Sequence, residues 1–402
     1  MTFGVRIRSS LKPVRVSRNR FIMTARTDLP NRGLVGVPGG RALIETPALV
    51  IDLELMERNL AAMAHATSKA GLALRPHAKT HKCAEIARRQ RAHGAVGICV
   101  AKLGEAEVLA NAGVKGLLIT SPVVTARGHE RLCALVRRAP DTMAVVDHPD
   151  IARALSAAAA KAGVRVNVLV DVNVGLSRTG ASPDGAAALC AQIANDANLM
   201  WRGLQGYAGH VQHIEDTGER REKSLAALSL LREVRDVLAA EGLVAAIISG
   251  GGTGTFDIDA EAHVFTELQA GSYAVMDRQY ADVWTKGGGV PPFAAAMMVA
   301  TTVISANVPG LATTDAGLKA FATEAGPPVI ASGAPEGSKY FFFGDEQGGV
   351  ILPPGEKLSP GARLYCHPPH CDPTVNLYDV FHVVSGDRLV ALWPIEARGR
   401  GA

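Results

Sequence analysis

The chain has 402 residues, of which 48% are hydrophobic and 20% charged, a composition typical of a soluble globular protein with room for two domains. No apolar run reaches the roughly 18 residues that a membrane-spanning helix requires, so we expect no membrane partner. Six cysteines in a chain of this length do not indicate a disulfide framework. We therefore expect reduced thiols and a cytoplasmic location.

The formal net charge of +4 is unevenly distributed. Residues 1–41 hold eight arginines and one lysine against one aspartate, a net +8, so the remainder carries −4. A mildly acidic body gives no indication of a nucleic-acid partner. Residues 1–40 are rich in arginine and lack the long apolar core of a secretory signal, so they could form a transit-type segment, or translation could start at Met23. We expect a flexible leader without a catalytic role.

The first predicted elements of the body are a strand at Thr46–Asp52 and a helix at Leu55–Ala70. Gly71 is a stop signal for this helix, and a short strand follows at Leu72–Arg75. A polar cluster follows the strand. In a parallel barrel, that position belongs to the face where the chemistry takes place.

Lys79 lies in this cluster, between His77 and His81. Two neighbouring groups that can be cationic disfavour the ammonium form, and burial would do the same. A lysine held as a neutral amine can form a Schiff base with a carbonyl compound. The alternative is an ordinary surface loop in which Lys79 and Lys82 are solvated.

The sequence Arg75-Pro76-His77-Ala78-Lys79-Thr80-His81-Lys82 resembles the cofactor-lysine segment of D-threonine aldolases and the related D-serine dehydratases. These are pyridoxal-phosphate enzymes, and the resemblance extends from about Thr46 to Gly399. It implies that Lys79 holds pyridoxal 5′-phosphate. It also implies a (β/α)8 barrel of alanine-racemase type with a second, mainly β domain, and a homodimer in which one subunit's β domain lies near the partner's barrel.

Eight strand candidates alternate with segments of helical length, which favours a closed barrel over an open sheet. The strand at Thr46–Asp52 is then surplus, and the resemblance assigns it to the second domain. The eight candidates are Leu72–Arg75, Val96–Val100, Gly116–Thr120, Met143–Asp147, Val164–Asp171, Gly203–Tyr207, Ala245–Ser249 and Glu267–Gly271.

After Asp277 the pattern changes to short strands separated by Gly and Pro turns, which predicts a β domain. We therefore predict a leader at residues 1–40, a barrel at residues 55–285, and a β domain formed by residues 41–54 and 286–402. The predicted strands of the β domain are Met297–Asn307, Leu311–Asp315, Tyr340–Phe343, Arg363–His367 and Phe381–Val384.

A glycine-rich loop, residues 249–254, follows the seventh barrel strand. Consecutive glycine amides can form an anion nest, and neighbouring hydroxyl groups add donors. Barrel enzymes often bind a phosphate in their late loops, so we predict the cofactor phosphate here; the alternative is a flexible glycine loop. The predicted cofactor contacts from this loop and from the eighth strand are Ser249, Gly251, Gly252, Thr253, Gln269, Gly271, Ser272 and Tyr273.

Other barrel strands supply further candidates. Arg178 follows the fifth strand and can bind the cofactor phenolate or a substrate carboxylate; the resemblance favours a place beside the cofactor over a rim salt bridge. Tyr207 is expected against the pyridine ring and Gln269 at its nitrogen, where a neutral partner makes a weaker electron sink than an aspartate. His77 is a further predicted contact. His213 is the candidate proton carrier, or else a structural histidine.

The sequence His370-Cys371-Asp372 is the candidate metal site. An extended backbone would place His370 and Asp372 on one face and Cys371 on the other. A nitrogen and oxygen ligand pair suits Mn²⁺, or alternatively Mg²⁺, and leaves positions for water and substrate. In the families that the chain resembles, D-serine dehydratases carry His-x-Cys, whereas D-threonine and β-hydroxyaspartate aldolases carry His-x-Asp. The alternative is a structural zinc site made of Cys366, His367, His370 and Cys371.

One position departs from the aldolase pattern. Aldolases of this family commonly have Asp-Glu-His-Gly ahead of the metal motif, whereas this chain has Asp345-Glu346-Gln347-Gly348. Because Gln347 cannot carry a proton, it cannot replace that histidine in proton transfer, and a different substrate is the alternative that this position leaves open.

Together these features predict a pyridoxal-phosphate- and metal-dependent aldolase that cleaves D-β-hydroxy-α-amino acids to glycine and an aldehyde. Either His213 or a metal-bound hydroxide would be the base that removes the β-hydroxyl proton. A D-serine or D-hydroxyaspartate dehydratase, which catalyses a β-elimination, is the alternative within the resembled families. A racemase would need a second acid–base group opposite Lys79, and the sequence offers no convincing motif. A non-catalytic pyridoxal-phosphate-binding protein would not need a metal-bearing second domain.

Overall fold

The computed structural model describes residues 29–402, so most of the predicted leader lies outside the described residues. Helix α1 (Gly40–Leu43), strand β1 (Ala48–Asp52) and helix α2 (Leu53–Lys69) come first. Asp52 caps α2, because its carboxylate accepts a hydrogen bond from the backbone N–H of Leu55 at 3.0 Å.

Eight parallel strands form the barrel. They are β2 (Ala73–Leu74), β3 (Ile98–Val100), β4 (Leu117–Ile119), β5 (Met143–Val146), β6 (Val166–Asp171), β7 (Leu199–Gly206), β8 (Ile247–Gly250) and β9 (Glu267–Leu268). Their hydrogen-bonded order is β2-β9-β8-β7-β6-β5-β4-β3. The two ends of this order meet: Val96 N donates to Leu74 O at 2.8 Å and Cys99 N to Pro76 O at 2.9 Å. The predicted (β/α)8 barrel is confirmed, and every predicted barrel strand is present.

Helices surround the barrel. They are α3 (Ala84–Ala92), α4 (Leu103–Asn111), α5 (Ala126–Arg138), α6 (Pro149–Ala162), α7 (Pro183–Ala194), α8 (Thr217–Ala240), α9 (Phe256–Glu261) and α10 (Arg278–Thr285). Gly163 ends α6 in the left-handed region at φ +63, where a residue without Cβ is favoured. Within residues 29–402, none of the helices has the length and apolar character needed to cross a membrane.

The second sheet is mainly antiparallel and belongs to the β domain. Its strands after the barrel are β10 (Met297–Val308), β11 (Leu311–Thr314), β12 (Val329–Ser332), β13 (Lys339–Phe342), β14 (Gly348–Ile351), β15 (Arg363–His367), β16 (Val380–Ser385) and β17 (Arg388–Pro394), with helix α11 (Cys371–Val375) after β15. β1 lies between β10 and β16 and so belongs to the β domain, as the resemblance implies. The sequence analysis missed β12, β14 and β17. β12 is a mostly exposed strand and β14 begins with two glycines, so neither has a strong apolar alternation.

The described part of the predicted leader contacts the β domain. Gly36 N donates to Leu389 O at 2.8 Å, and Gly39 N donates to a carboxylate oxygen of Asp387 at 2.9 Å. These bonds attach residues 36–39 to β17 and to the turn before it, whereas the sequence analysis assigned these residues to the leader. We retain residues 55–285 as the proposed barrel domain and place the described leader residues with the β domain.

Candidate active site

A cavity of about 320 Å³ opens at the C-terminal ends of the barrel strands. Its lining residues are His77, Lys79, Thr80, Ala101, Lys102, Thr120, Ser121, Arg178, Gln205, Tyr207, Gly251, Gly252, Thr253, Gln269, Gly271, Ser272 and Tyr280. The structure thus brings together most of the predicted cofactor contacts. The sequence analysis missed Lys102 and Ser121, which follow predicted strands and were detectable by that position. It also missed Tyr280, which comes from helix α10 and has no such signal.

Lys79 is paired with a carboxylate. Its ammonium forms an ion pair with Asp372, and its backbone N–H donates to His77 Nδ1 at 3.3 Å. Burial lowers the pKa of Lys79, but the negative charge of Asp372 outweighs burial and raises the pKa above its usual value. The expectation of a neutral amine in the structure as it stands is therefore wrong.

The two flanking histidines are neutral and do not repel the ammonium. Burial lowers the pKa of His77 to about 3 and that of His81 to about 4. Because His77 Nδ1 accepts from the backbone, its proton lies on Nε2, which donates to the Thr120 hydroxyl at 3.0 Å. His81 is fully buried and faces Gln90, whose side-chain oxygen lies 3.3 Å from its Nε2.

A buried hydrogen-bond network forms the floor of the cavity. Glu267 accepts two hydrogen bonds of 2.8 Å from Arg75 and a third, of 2.7 Å, from the Ser249 hydroxyl. The Gln269 amide donates to Ser249 at 2.9 Å and to Gln205 at 3.1 Å. The donors of the Gln269 side chain are thus engaged within the floor. Only its carbonyl oxygen remains to face a ligand.

The glycine-rich loop lines the cavity in part. Gly251, Gly252 and Thr253 do so, whereas Ser249 does not, because its hydroxyl is engaged with Glu267. The predicted contact of Ser249 with the cofactor is therefore corrected. Tyr273 is corrected as well: its side chain is fully buried away from the cavity, and its backbone N–H donates to the Thr253 hydroxyl at 3.1 Å. That bond leaves the Thr253 proton available to an anion.

Gly271 completes this end of the cavity from β9. A Cβ at Gly271 would lie 2.8 Å from His77 O and 2.9 Å from the Thr80 hydroxyl, closer than real Cβ contacts. Only glycine therefore allows the loop after β9 to approach the Lys79 segment. This close approach brings the Gly271–Ser272 amides next to the Gly251–Thr253 loop, which is the arrangement of an anion-binding nest.

The metal candidates lie at the start of α11. Cys371 begins this helical turn, so the expectation of an extended backbone through Asp372 is wrong. The two side chains still diverge. The Cys371 thiol donates to Met276 O at 3.1 Å and is fully buried, whereas the Asp372 carboxylate faces Lys79. Burial raises the pKa of Asp372, but the Lys79 ammonium outweighs burial and lowers the pKa to about 2.

His370 has a carboxylate partner that the sequence analysis missed. Its Nδ1 lies 2.7 Å from a side-chain oxygen of Glu324, so Nδ1–H donates and the Nε2 lone pair is available to a metal. Asp372 Oδ1 is buried and makes no hydrogen bond within residues 29–402. Both observations fit a cation between His370 and Asp372. In the described part of the chain, no group of three or more His, Cys, Asp or Glu side chains is placed to hold a metal ion, so the four-residue zinc alternative is wrong.

Two family models cover nearly the whole body. "Alanine racemase, N-terminal domain" matches residues 51–279, and "Putative serine dehydratase domain" matches residues 296–384. A D-threonine aldolase from Arthrobacter sp. is 40% identical over 363 residues, covering 89% of this chain and 94% of the relative. The chain belongs to the D-threonine aldolase family of alanine-racemase-like proteins. It is accordingly an enzyme of the carbon–carbon lyase class.

Two further relatives are also aldolases. A 3-hydroxy-D-aspartate aldolase from Paracoccus denitrificans is 34% identical over 389 residues, covering 94% of this chain and all of the relative. The crystal structure of D-threonine aldolase from Filomicrobium marinum superposes with a TM-score of 0.84 at 38% identity, covering 89% of this chain and 96% of that structure. The alanine-racemase-like aldolase family implies pyridoxal 5′-phosphate as the cofactor.

The residues of the cavity fit this cofactor. The anion nest at Gly251–Thr253 and Gly271–Ser272 suits its phosphate, and Lys79 supplies the amine for its aldehyde. The Arg178 guanidinium lies over the Tyr207 ring, 5.5 Å from its centroid, so both border the same side of the cavity. Burial raises the pKa of Tyr207, which keeps its hydroxyl protonated.

His213 lies at the rim of the cavity and outside its lining. Its ring packs on Tyr280 with the centroids 4.6 Å apart. Burial lowers the pKa of His213, and the positive charge of Lys79 lowers it further, so the imidazole is neutral at neutral pH. Gln347, in contrast, lies in the exposed turn between β13 and β14 and does not line the cavity.

Proposed function

We propose that this enzyme cleaves D-β-hydroxy-α-amino acids such as D-threonine to glycine and an aldehyde. The observation that carries the proposal is that the side chains of Asp372 and Cys371 point in different directions. The Asp372 carboxylate faces the cofactor lysine, while the Cys371 thiol is buried against Met276 O. An oxygen ligand at that place suits a hard divalent ion, whereas a thiolate would favour zinc.

Cofactor binding is assigned to the nest and to Lys79. The amides of Gly251, Gly252 and Gly271 and the hydroxyl of Thr253 would hold the phosphate, and Arg178 would neutralise the phenolate oxygen. When bound, the cofactor accepts the electron pair released from the Cα–Cβ bond. The Gln269 carbonyl oxygen that faces the cavity could accept a hydrogen bond from the pyridine nitrogen, but because it is neutral it would hold a proton there less strongly than an aspartate would.

His370 and Asp372 would hold the metal, which we propose to be Mn²⁺, with Mg²⁺ as the alternative. Two protein ligands leave the remaining positions to water and substrate oxygen. A cation there would lower the pKa of the substrate's β-hydroxyl group. Glu324 orients the His370 ring, because its carboxylate fixes the proton on Nδ1.

His213 is proposed as the base that takes the proton from the β-hydroxyl. Its neutral state at neutral pH supports this role, since only an unprotonated ring nitrogen can accept a proton. The tilted contact with Tyr280, which lines the cavity, holds the His213 ring beside the cavity.

Product identification tests the proposal. Purified enzyme supplied with pyridoxal phosphate and Mn²⁺ is incubated with D-threonine, and the products are separated by chromatography. We expect glycine and acetaldehyde in equal amounts. Ammonia and a 2-keto acid as main products would instead establish a dehydratase, and unchanged substrate with bound cofactor would favour a non-catalytic binding protein.

Lys102 is proposed as the partner of the substrate's α-carboxylate. It follows β3 and lines the cavity. The carboxylate of the nearby Glu105 already has other partners, because it forms an ion pair with Lys82 and accepts a hydrogen bond from Ala101 N at 2.8 Å. Replacing Lys102 with Met should raise the KM for D-threonine about tenfold, with little change in kcat, since a charge-assisted hydrogen bond is lost.

Steady-state kinetics measure this effect, and Lys115→Met is the matched control. Lys115 is exposed and precedes β4, at the opposite end of the barrel. It should leave both constants unchanged. An unchanged KM in the Lys102 variant would exclude the assignment.

We also propose that the enzyme is a homodimer and is located in the cytoplasm. The resemblance supports the dimer, and light scattering of the purified enzyme at several concentrations would measure it. All six cysteines are unpaired and buried, which agrees with a reducing compartment.

A further inference from the structure

Gln212 lies between two functional loops. It follows β7 in the chain, immediately before His213 and five residues after Tyr207. Its side chain is 1% exposed, which is unusual for an uncharged polar residue unless its groups are satisfied. Neither the cavity lining nor the predicted site included it.

Both ends of the Gln212 amide are hydrogen-bonded to the loop that follows β8. The side-chain oxygen accepts from Gly254 N at 3.0 Å, and the side-chain nitrogen donates to the Thr255 hydroxyl at 2.8 Å. The same nitrogen lies 3.4 Å from Ala208 O. One side chain thus ties the β7 loop to the phosphate loop.

The packing against Gln212 also explains two glycines of the phosphate loop. A Cβ at Gly252 would lie 2.3 Å from the Gln212 side-chain oxygen, and a Cβ at Gly254 would lie 2.0 Å from the Gln212 backbone oxygen. Both distances are shorter than any real contact. The glycines therefore give the loop room to close on Gln212.

The hydrogen bonds continue from Gln212 into the scaffold. The Thr255 hydroxyl donates to Asp259 at 2.6 Å, and Ser224 donates to the other Asp259 oxygen at 3.3 Å. Ser224 lies on α8 and Asp259 on α9. The chain of bonds anchors both loops to helices outside the barrel.

We propose that Gln212 is a positioning residue that fixes the phosphate loop and His213 relative to each other. Loss of its amide would loosen the cofactor's phosphate site and displace the base in the same step. The part concerning His213 rests on the proposed function, whereas the part concerning the phosphate loop does not.

The test compares Gln212→Met with the wild-type enzyme. Methionine keeps the volume but leaves Gly254 N and the Thr255–Asp259 pair without their partner. The dissociation constant of pyridoxal phosphate, measured by absorbance titration of the apoenzyme, should rise about tenfold or more. At saturating cofactor, kcat for D-threonine should fall about tenfold while KM changes little.

Asn167→Leu is the matched control. Its amide donates to Pro140 O at 3.0 Å and to Thr142 O at 3.4 Å, at the N-terminal end of β6 and away from the cavity. This variant should lose stability without a change in cofactor affinity. If Gln212→Met does not fold, Gln212→Glu keeps the acceptor for Gly254 N and should show the same effects to a smaller degree.

Two results would overturn the proposal. A dissociation constant equal to that of the wild type would remove the role in the phosphate loop. A higher dissociation constant with wild-type kcat at saturating cofactor would remove the role toward His213. If the wild-type enzyme cleaves none of the hydroxy amino acids, the proposed function fails, and the cofactor titration still decides the first part.

Discussion

Lys79→Ala is expected to lower kcat by at least about 10³-fold and to remove the absorbance of the lysine-bound cofactor. Lys79 is the amine that lines the cavity between the phosphate nest and Asp372. The loss should be chemical and not a general unfolding, because the side chain is 40% exposed. Ultraviolet–visible spectra of the purified variant, with circular dichroism to confirm the fold, measure both effects.

Lys82→Ala is the matched control for Lys79. Lys82 lies three residues further on but is paired with Glu105, and its backbone oxygen accepts from Ala397 N at 3.0 Å. The variant should be less stable, because the buried Glu105 loses its partner, but it should keep the cofactor absorbance. Borohydride reduction and peptide mapping that placed the cofactor on Lys82 would show the assignment to be wrong.

Asp372→Asn is expected to lose bound metal and to lower kcat about 10²–10³-fold while retaining the lysine-bound cofactor. The carboxylate presents a buried, unpaired oxygen beside His370, and an amide is a poorer ligand. Because Asp372 raises the pKa of Lys79, its removal should also lower that pKa toward the ordinary value. Metal analysis, spectra and kinetics with added Mn²⁺ measure these effects.

Cys371→Ala tests whether the metal ligand is Asp372 and not the neighbouring Cys371. The thiol donates to Met276 O and is fully buried, so its removal should cost stability but leave metal content and turnover unchanged. Exhaustive chelation should abolish the activity of the wild-type enzyme, and Mn²⁺ should restore it. Full activity after chelation would falsify the metal-dependent mechanism.

The pairing of Lys79 with Asp372 connects the two predictions. In the structure, the carboxylate holds the lysine as an ammonium, which cannot attack an aldehyde. We expect a divalent ion at Asp372 to weaken this ion pair and to favour the neutral amine. The rate of cofactor attachment to the apoenzyme should therefore increase when Mn²⁺ is present.

The sequence by itself determined the barrel, because eight strand candidates alternate with segments of helical length. This pattern is local in the sequence and can be read without knowledge of contacts. It also placed Lys79 and the glycine-rich loop at strand ends, where a parallel barrel collects its functional residues. The missed strands β12 and β14 lack the apolar alternation that predicts a half-buried strand.

Only the tertiary structure decided the charge state of Lys79, since its partner Asp372 is 293 residues away in the sequence. The same holds for Ser249, whose hydroxyl turns to Glu267 in the floor, and for Glu324 behind His370. A strand-end position specifies the neighbourhood of a side chain but not which partner it finds. That choice depends on burial and on hydrogen bonds between distant segments, and these exist only when the barrel and the β domain are assembled.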